Sequence, residues 1–251
     1  MARAVTIDLN CDMGEGEPSD ERVMPFVTSV NVACGFHAGD AATMRRTVRL
    51  ARAHGLAVGA HPSYADREGF GRRALDLDPE QVRDEVVYQI GALWGICRAE
   101  GARLVHVKPH GALYNTAAGD PALALAVCDA VRLVDPSLVV VCLAGSRMVE
   151  QARRFGLACA EEAFADRAYT SAGTLVPRSQ PGAVIHDPQA VAERALRIVT
   201  ERRVTSIDGR PVSLSAQTLC IHGDTPGAER LAAAVRARLE AEGVAVAPVA
   251  R

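Results

Sequence analysis

"VTIDLNCD", residues 5–12, alternates without a break. Val5, Ile7, Leu9 and Cys11 fall on one side of an extended chain and Thr6, Asp8, Asn10 and Asp12 on the other, because successive strand side chains point to opposite faces. The apolar side requires a cover of helices, and the other requires an interior that accepts polar groups. The same parity returns downstream. Val30, Val32, Cys34 and Phe36 oppose Asn31, Ala33, Gly35 and His37; Val105 and Val107 oppose His106, Lys108 and His110; His222 shares its side with Thr218 and Cys220.

Strand patterns are expected at Val5–Cys11, Ser29–Phe36, Ala57–Ala60, Leu104–Lys108, Leu138–Leu143, Ala158–Phe164 and Gln217–His222. Between them lie amphipathic stretches such as "AATMRRTVRLARAHG" and "PEQVRDEVVYQIGALWGICRAEG", with the spacing of helices packed on one face. Asp78-Pro79, Asp120-Pro121 and Asp187-Pro188 mark helix starts, and Gly55, Gly101, Gly156 and Gly243 mark helix ends. Seven strands alternating with helices imply a parallel sheet under helices. The expected fold is α/β, a seven-stranded parallel β/α barrel, in preference to an open doubly wound sheet. No linker or charge block interrupts the 251 residues, so residues 1–251 are expected to form one domain. The long connections at residues 62–78 and 165–187 are read as functional loops. Asp208-Gly209 is read as the turn of a hairpin decoration, and Trp94 as a core residue.

Composition narrows the function. The chain is 49% hydrophobic and 4% aromatic, with a formal net charge of −2, so it offers neither the basic footprint nor the stacking platforms of a nucleic-acid binder. No apolar run approaches the roughly 18 residues that span a bilayer, so no membrane partner and a cytoplasmic location are expected. Seven scattered cysteines without a C-x-x-C pair are expected to be reduced core thiols. Of 28 basic residues 27 are arginine, and the single lysine, Lys108, follows an apolar strand. That exception suggests a role requiring a compact ammonium.

Asp12, His37, His61, Lys108, His110 and His222 all fall at or just beyond the C-terminal ends of their strands with inward parity, and Asp224 continues the His222 face. Alone, Asp40 would be the cap of a helix beginning at Ala41 and His37 the end of a strand. Repetition over five strands instead selects the mouth of a barrel, where catalytic side chains collect. Asp12, His37 and His61 suit a divalent metal, and equally suit general-base work on water without one; the metal content stays open. Lys108 and an imidazole suit an oxyanion or a leaving nitrogen. Arg72, Arg73 and Arg178 in the long loops suit a substrate carboxylate. Glu15 and Glu17 are either part of this group or a solvated acidic turn. No phosphate-binding glycine motif is present, since Gly14-Glu15-Gly16 lacks a third glycine and is flanked by acids.

"DLNCDMGEG", "NVACGFHAGD", "GAHPSYADREGFGRR", "KPHGALYN", "FADRAYTSAGTLVPRSQPGAVI" and "CIHGD" together resemble, in order and nearly end to end, the LamB/YcsF family. The resemblance implies a barrel of the glycoside hydrolase/deacetylase kind. It further implies ATP-dependent hydrolysis of the lactam of 5-oxo-L-proline to L-glutamate, carried out with two further subunits, B and C. On that basis Asp12, His61 or His37 would activate water, and Lys108 and His110 would serve the oxyanion and ring nitrogen. Asn10, Tyr114, Arg178, His222 and Asp224 would bind substrate. ATP would be handled by B and C, and self-association into a homo-oligomer stays open. Two rival readings are a metal-dependent deacetylase of an amide or sugar, and a non-catalytic subunit that binds the lactam.

Overall fold

The computed structural model describes residues 5–17, 19–223 and 225–250; Asp224, expected to bind substrate, lies outside them. In chain order, β1 (Thr6–Met13), α1 (Asp20–Val23), a 3-10 turn (Met24–Phe26) and β2 (Ser29–Ala33) lead to α2 (Ala41–Ala53), β3 (Ala57–His61) and α3 (Pro79–Ala99). Next come β4 (Leu104–Val107), α4 (Gly111–Gly119), α5 (Pro121–Val134), β5 (Val139–Leu143), α6 (Arg147–Arg154) and β6 (Cys159–Phe164). The remainder is α7 (Pro188–Glu201), β7 (Arg203–Thr205), β8 (Pro211–Ser213), β9 (Thr218–Ile221), α8 (Ala228–Ala241) and β10 (Ala245–Val246).

Strands β1 to β6 pair in parallel in sequence order, β6 pairs with β9, and β9 pairs back to β1. The expected seven-stranded parallel β/α barrel therefore closes among the described residues. β10 adds in parallel to the outer start of β1. β7 and β8 form the antiparallel hairpin expected around Asp208-Gly209. Helix starts follow their caps: Asp40, Asp78, Asp120 and Asp187 each accept a backbone N–H of the first turn, satisfying donors that the helix itself leaves open.

Outward strand residues such as Leu9, Val32, Val107, Val140 and Leu219 pack with helix residues such as Val48, Val86, Val127, Ile198 and Leu231 in one buried aliphatic shell. Removing that area from water, at about 25 cal/mol per Å², is what holds helices to barrel. Inside the barrel the lining is polar, and its members are paired with one another. Asp8 accepts hydroxyl hydrogens from Thr28, Ser29 and Thr218. Asn10 donates to Glu162 Oε1 (2.8 Å) and Thr218 Oγ1 (2.7 Å), and Asn31 donates to Asn10 Oδ1 (2.7 Å). These bonds offset the cost of burying the groups. The register sets Asp12 beside Asn31, Asn31 beside Gly59 and Gly59 beside His106. Gly59 is required there, because a Cβ at that position would lie 2.0 Å from His106 Nε2.

Two expectations are corrected. β2 ends at Ala33, so His37 stands in the β2–α2 loop rather than on the strand. Trp94 is 45% exposed on α3 instead of core, and the Arg98 guanidinium one turn later lies over its ring at 5.3 Å from the centroid; α3 presents that side to solvent.

Candidate active site

The C-terminal ends of the strands open on a cavity of about 660 Å³ lined by Asp12, Glu15, His61, Lys108, His110 and His222, among others. The structure thus gathers the strand-end residues expected from parity at one mouth. Two clusters divide it.

The first centres on Lys108, which is 2% exposed. Its Nζ donates to Asn10 Oδ1 (3.2 Å) and Asp12 Oδ1 (3.0 Å), and lies 3.0 Å from Glu162 Oε1 and 3.1 Å from Cys220 Sγ. Burial alone would lower the lysine pKa, but the carboxylates of Asp12 and Glu162 outweigh it and hold the ammonium well above its ordinary range. Burial would likewise raise the Asp12 carboxyl; the adjacent His61 and the Lys108 ammonium outweigh it and hold it well below the usual carboxylate range. Asn31 adds a hydrogen bond to Asp12 Oδ1 at 2.8 Å. Tyr114 donates to Glu162 Oε2 at 2.7 Å, so its hydroxyl is committed to the floor of the site.

The second cluster gathers His37, His61, His110 and Glu15. Glu15 Oε1 lies 3.0 Å from His37 Nε2, 3.3 Å from His110 Nδ1 and 3.8 Å from His61 Nε2. His61 Nε2 is also 3.4 Å from Asp12 Oδ2, which links the two clusters. The His37 and His110 rings stack at 3.9 Å. Burial, followed by the neighbouring His61, pushes the His37 pKa down to about 2 and lowers that of His110 well below the ordinary value. Loop 62–78 closes over this corner: Phe70 O accepts from His110 Nε2 at 2.9 Å. Gly71, at φ +64°, passes so close that a Cβ would lie 2.2 Å from Ser63 Oγ and 2.9 Å from His37 Cβ.

On the opposite wall His222 Nδ1 donates to Asp166 Oδ2 at 2.8 Å, and its ring stacks on Phe164 at 5.4 Å. Asp166 is fully buried; burial would raise its carboxyl, but His222, Arg167 and Arg178 keep it below the ordinary range. A histidine held this way presents Nε2 as a proton acceptor. Arg72 and Arg178 line the cavity, whereas Arg73 is tied to Asp66.

Three site residues escape the sequence reading. It does not decide between site and solvated turn for Glu15, and it does not single out Glu162 or Asp166. The parity of "CAEEAF" places Glu162 on the Phe164 side of β6, and Asp166 stands two residues past the end of that strand, so both satisfy the criterion that selects the histidines.

Comparison with known proteins agrees with this architecture. The sequence profile of the LamB/YcsF family matches residues 7–251. The chain is 55% identical over 244 residues to a protein of Syntrophobacter fumaroxidans named as the A component of 5-oxoprolinase, covering 95% of this chain and 96% of that one. It is 51% identical over 248 residues to a Pyrococcus furiosus protein of the same name, covering 97% of each. The crystal structure of a lactam utilization protein from Thermus thermophilus superposes with a TM-score of 0.90 at 49% identity, over 96% of this chain and 99% of that one. A family 4 carbohydrate esterase from Streptomyces lividans, at 12% identity and a TM-score of 0.51 over 97% of this chain and 92% of that one, shares the fold alone.

Proposed function

The chain belongs to the LamB/YcsF family, and from that premise we propose that it is the ring-opening component of an ATP-dependent 5-oxoprolinase, hydrolysing 5-oxo-L-proline to L-glutamate. The observation that carries the reading is the buried Lys108 ammonium at the cavity floor, held between the Asp12 and Glu162 carboxylates and facing the histidine corner. Relatives named as a component of 5-oxoprolinase supply the substrate.

Opening the lactam requires water to attack the ring carbonyl carbon, negative charge to gather on the oxygens around that carbon, and the ring nitrogen to leave with a proton. Lys108 presents its positive charge to the developing oxyanion, a contribution on the order of 3–4 kcal/mol, while His110, held by Phe70 O, positions His61. Asp12 Oδ2, the oxygen that Lys108 does not hold, orients the water with His61. His222 Nε2, left as an acceptor by the bond from Nδ1 to Asp166, takes a proton from the attacking water and passes it to the leaving ring nitrogen, worth roughly 10²–10⁴-fold. Arg178 receives the substrate carboxylate, whereas Tyr114 positions Glu162. An unstrained amide is a poor electrophile, and ATP activates it by transferring its terminal phosphoryl group to the amide oxygen with release of ADP. Water addition and departure of the ring nitrogen then leave an acyl phosphate, which a second water splits to glutamate and inorganic phosphate. The phosphoryl transfer is assigned to partner subunits B and C, because Gly14 and Gly16 here turn the chain to deliver Glu15 to the histidines rather than to cradle a phosphate. Among the described residues no helix is long and apolar enough to cross a membrane. The complex is proposed to act in the cytoplasm, where seven unpaired cysteines stay reduced.

Reconstitution with candidate B and C subunits tests the reading. Glutamate should form from 5-oxo-L-proline only with ATP and all three chains present. Consumption of ATP by this chain alone in the presence of 5-oxo-L-proline would overturn the division of labour.

A further inference from the structure

Arg167 is a buried cation to which the ring-opening scheme gives no task. It is 7% exposed, yet it lines the cavity at the barrel mouth. Its guanidinium donates from Nη2 to Val176 O at 2.6 Å and from Nε to Ala183 O at 3.3 Å. Among the described residues no acceptor meets Nη1. Two neutral carbonyls do not cancel a full charge, and taking a charge out of water without a counter-charge is costly. A neutral amide side chain would serve to hold a carbonyl. Asp166, the preceding residue, compensates in part, but its carboxylate is committed to His222. Burial, and then the neighbouring Arg178, press the Arg167 pKa below the ordinary guanidinium value. A guanidinium stays charged even so, and an anion entering the cavity would relieve this corner.

The place of Arg167 identifies the anion. In 5-oxo-L-proline the carbon that carries the carboxylate is bonded to the lactam nitrogen, so the carboxylate must be received beside the group that serves the nitrogen. The end of β6 sets out its contacts in the same order. Glu162 holds Lys108 at 3.0 Å, where the carbonyl oxygen is served. Phe164 follows, with Lys108 Nζ 5.5 Å from its ring centroid and the His222 ring stacked on it at 5.4 Å. Asp166 then fixes His222 for the nitrogen, and Arg167 comes next. We propose that Arg167 forms, with Arg178, the subsite that receives the substrate carboxylate, and that it thereby selects a carboxylate-bearing lactam over a neutral one. This rests on the reading that 5-oxo-L-proline is the substrate. The bonds to Val176 O and Ala183 O fix the guanidinium before the substrate arrives, which lowers the cost of binding, and leave Nη1 for a charge-assisted bond to a carboxylate oxygen.

Binding to the full chain without ATP tests the subsite apart from turnover. The chain is titrated, by ligand-observed NMR, with 5-oxo-L-proline and with 2-pyrrolidinone, the same ring without its carboxylate. The wild type should bind the acid more tightly than the neutral ring. Arg167→Gln, checked for folding by circular dichroism, keeps a donor for a loop carbonyl and carries no charge. It should weaken 5-oxo-L-proline by about 100-fold and leave 2-pyrrolidinone nearly unchanged, while Arg167→Lys should recover part of the loss. Equal weakening of both ligands would overturn the proposal by making Arg167 a fastener of loop 165–187. Unchanged affinity for 5-oxo-L-proline in Arg167→Gln, or a wild type that binds the two rings alike or binds neither, would also overturn it. Selective binding of 5-oxo-L-proline by the chain, with no glutamate formed by the reconstituted complex and ATP, would instead overturn the proposed reaction and support the subsite.

Discussion

Lys108 and Glu15 stand at the same barrel mouth in opposite electrostatic situations. Around Lys108 a cation arrives with its counter-charges, two carboxylates at 3.0 Å each and two further polar contacts. Around Glu15 a carboxylate meets three imidazoles whose protons are largely committed elsewhere. The first cluster is a charge network closed around one ammonium, whereas the second gathers three buried rings about one carboxylate oxygen. One polar mouth can thus hold a permanent charge network and a histidine corner side by side, because different strand ends and loops supply them.

The largest effect should come from breaking the complete side. Lys108→Met leaves Asp12 and Glu162 buried without their cation, and urea unfolding should show a loss of about 3–5 kcal/mol, much of it restored by adding Glu162→Gln. A small loss in the single variant would mean that the two carboxylates are not held as a charged pair around Lys108.

The next effect separates pH dependence from both clusters. His106 lies below them, donating Nε2–H to Asn31 Oδ1 at 2.7 Å, and burial lowers its pKa from 6.5 to about 3. The unfolded chain takes up a proton that the folded chain refuses within that window, so stability is lost as pH falls below 6.5 toward 3. Between neutral pH and about pH 5 the loss should be on the order of 2 kcal/mol, and His106→Gln should flatten it. An unchanged slope in that variant would assign the acid sensitivity to other groups.

A smaller change marks the border of the histidine corner. Asp40 accepts from Thr43 N at 2.7 Å at the start of α2, so Asp40→Ala should cost about 1 kcal/mol in thermal or urea unfolding. The smallest change is expected from Glu15→Gln, within about 1 kcal/mol of wild type, since the amide oxygen still accepts from His37 Nε2. A loss there as large as that of Lys108→Met would erase the distinction between the two clusters.

Much of this is legible in the sequence because strand parity is a local property. "VTIDLNCD" declares its two faces without knowledge of neighbours, and Asp-Pro pairs at residues 78–79, 120–121 and 187–188 declare helix starts. Lys108 stands out through composition alone. Glu15 does not, since its direction is set by the positive-φ turns at Gly14 and Gly16, and an acid in such a turn looks the same whether it meets solvent or three histidines. Glu162 is masked by its neighbour Glu161 and by alanines on both sides of β6, which blur the inward face. Trp94 misleads because a large aromatic suggests core, while its actual partner, Arg98, is one turn away on the same helix.

The central claim is that the Lys108 end of the mouth does the ring-opening chemistry. It is tested most directly by the rate of glutamate formation in the reconstituted complex carrying Lys108→Ala, with assembly verified by size-exclusion chromatography. A fall of about 10²–10³-fold is predicted; turnover equal to wild type in the intact complex would contradict the account and leave this chain a binding component.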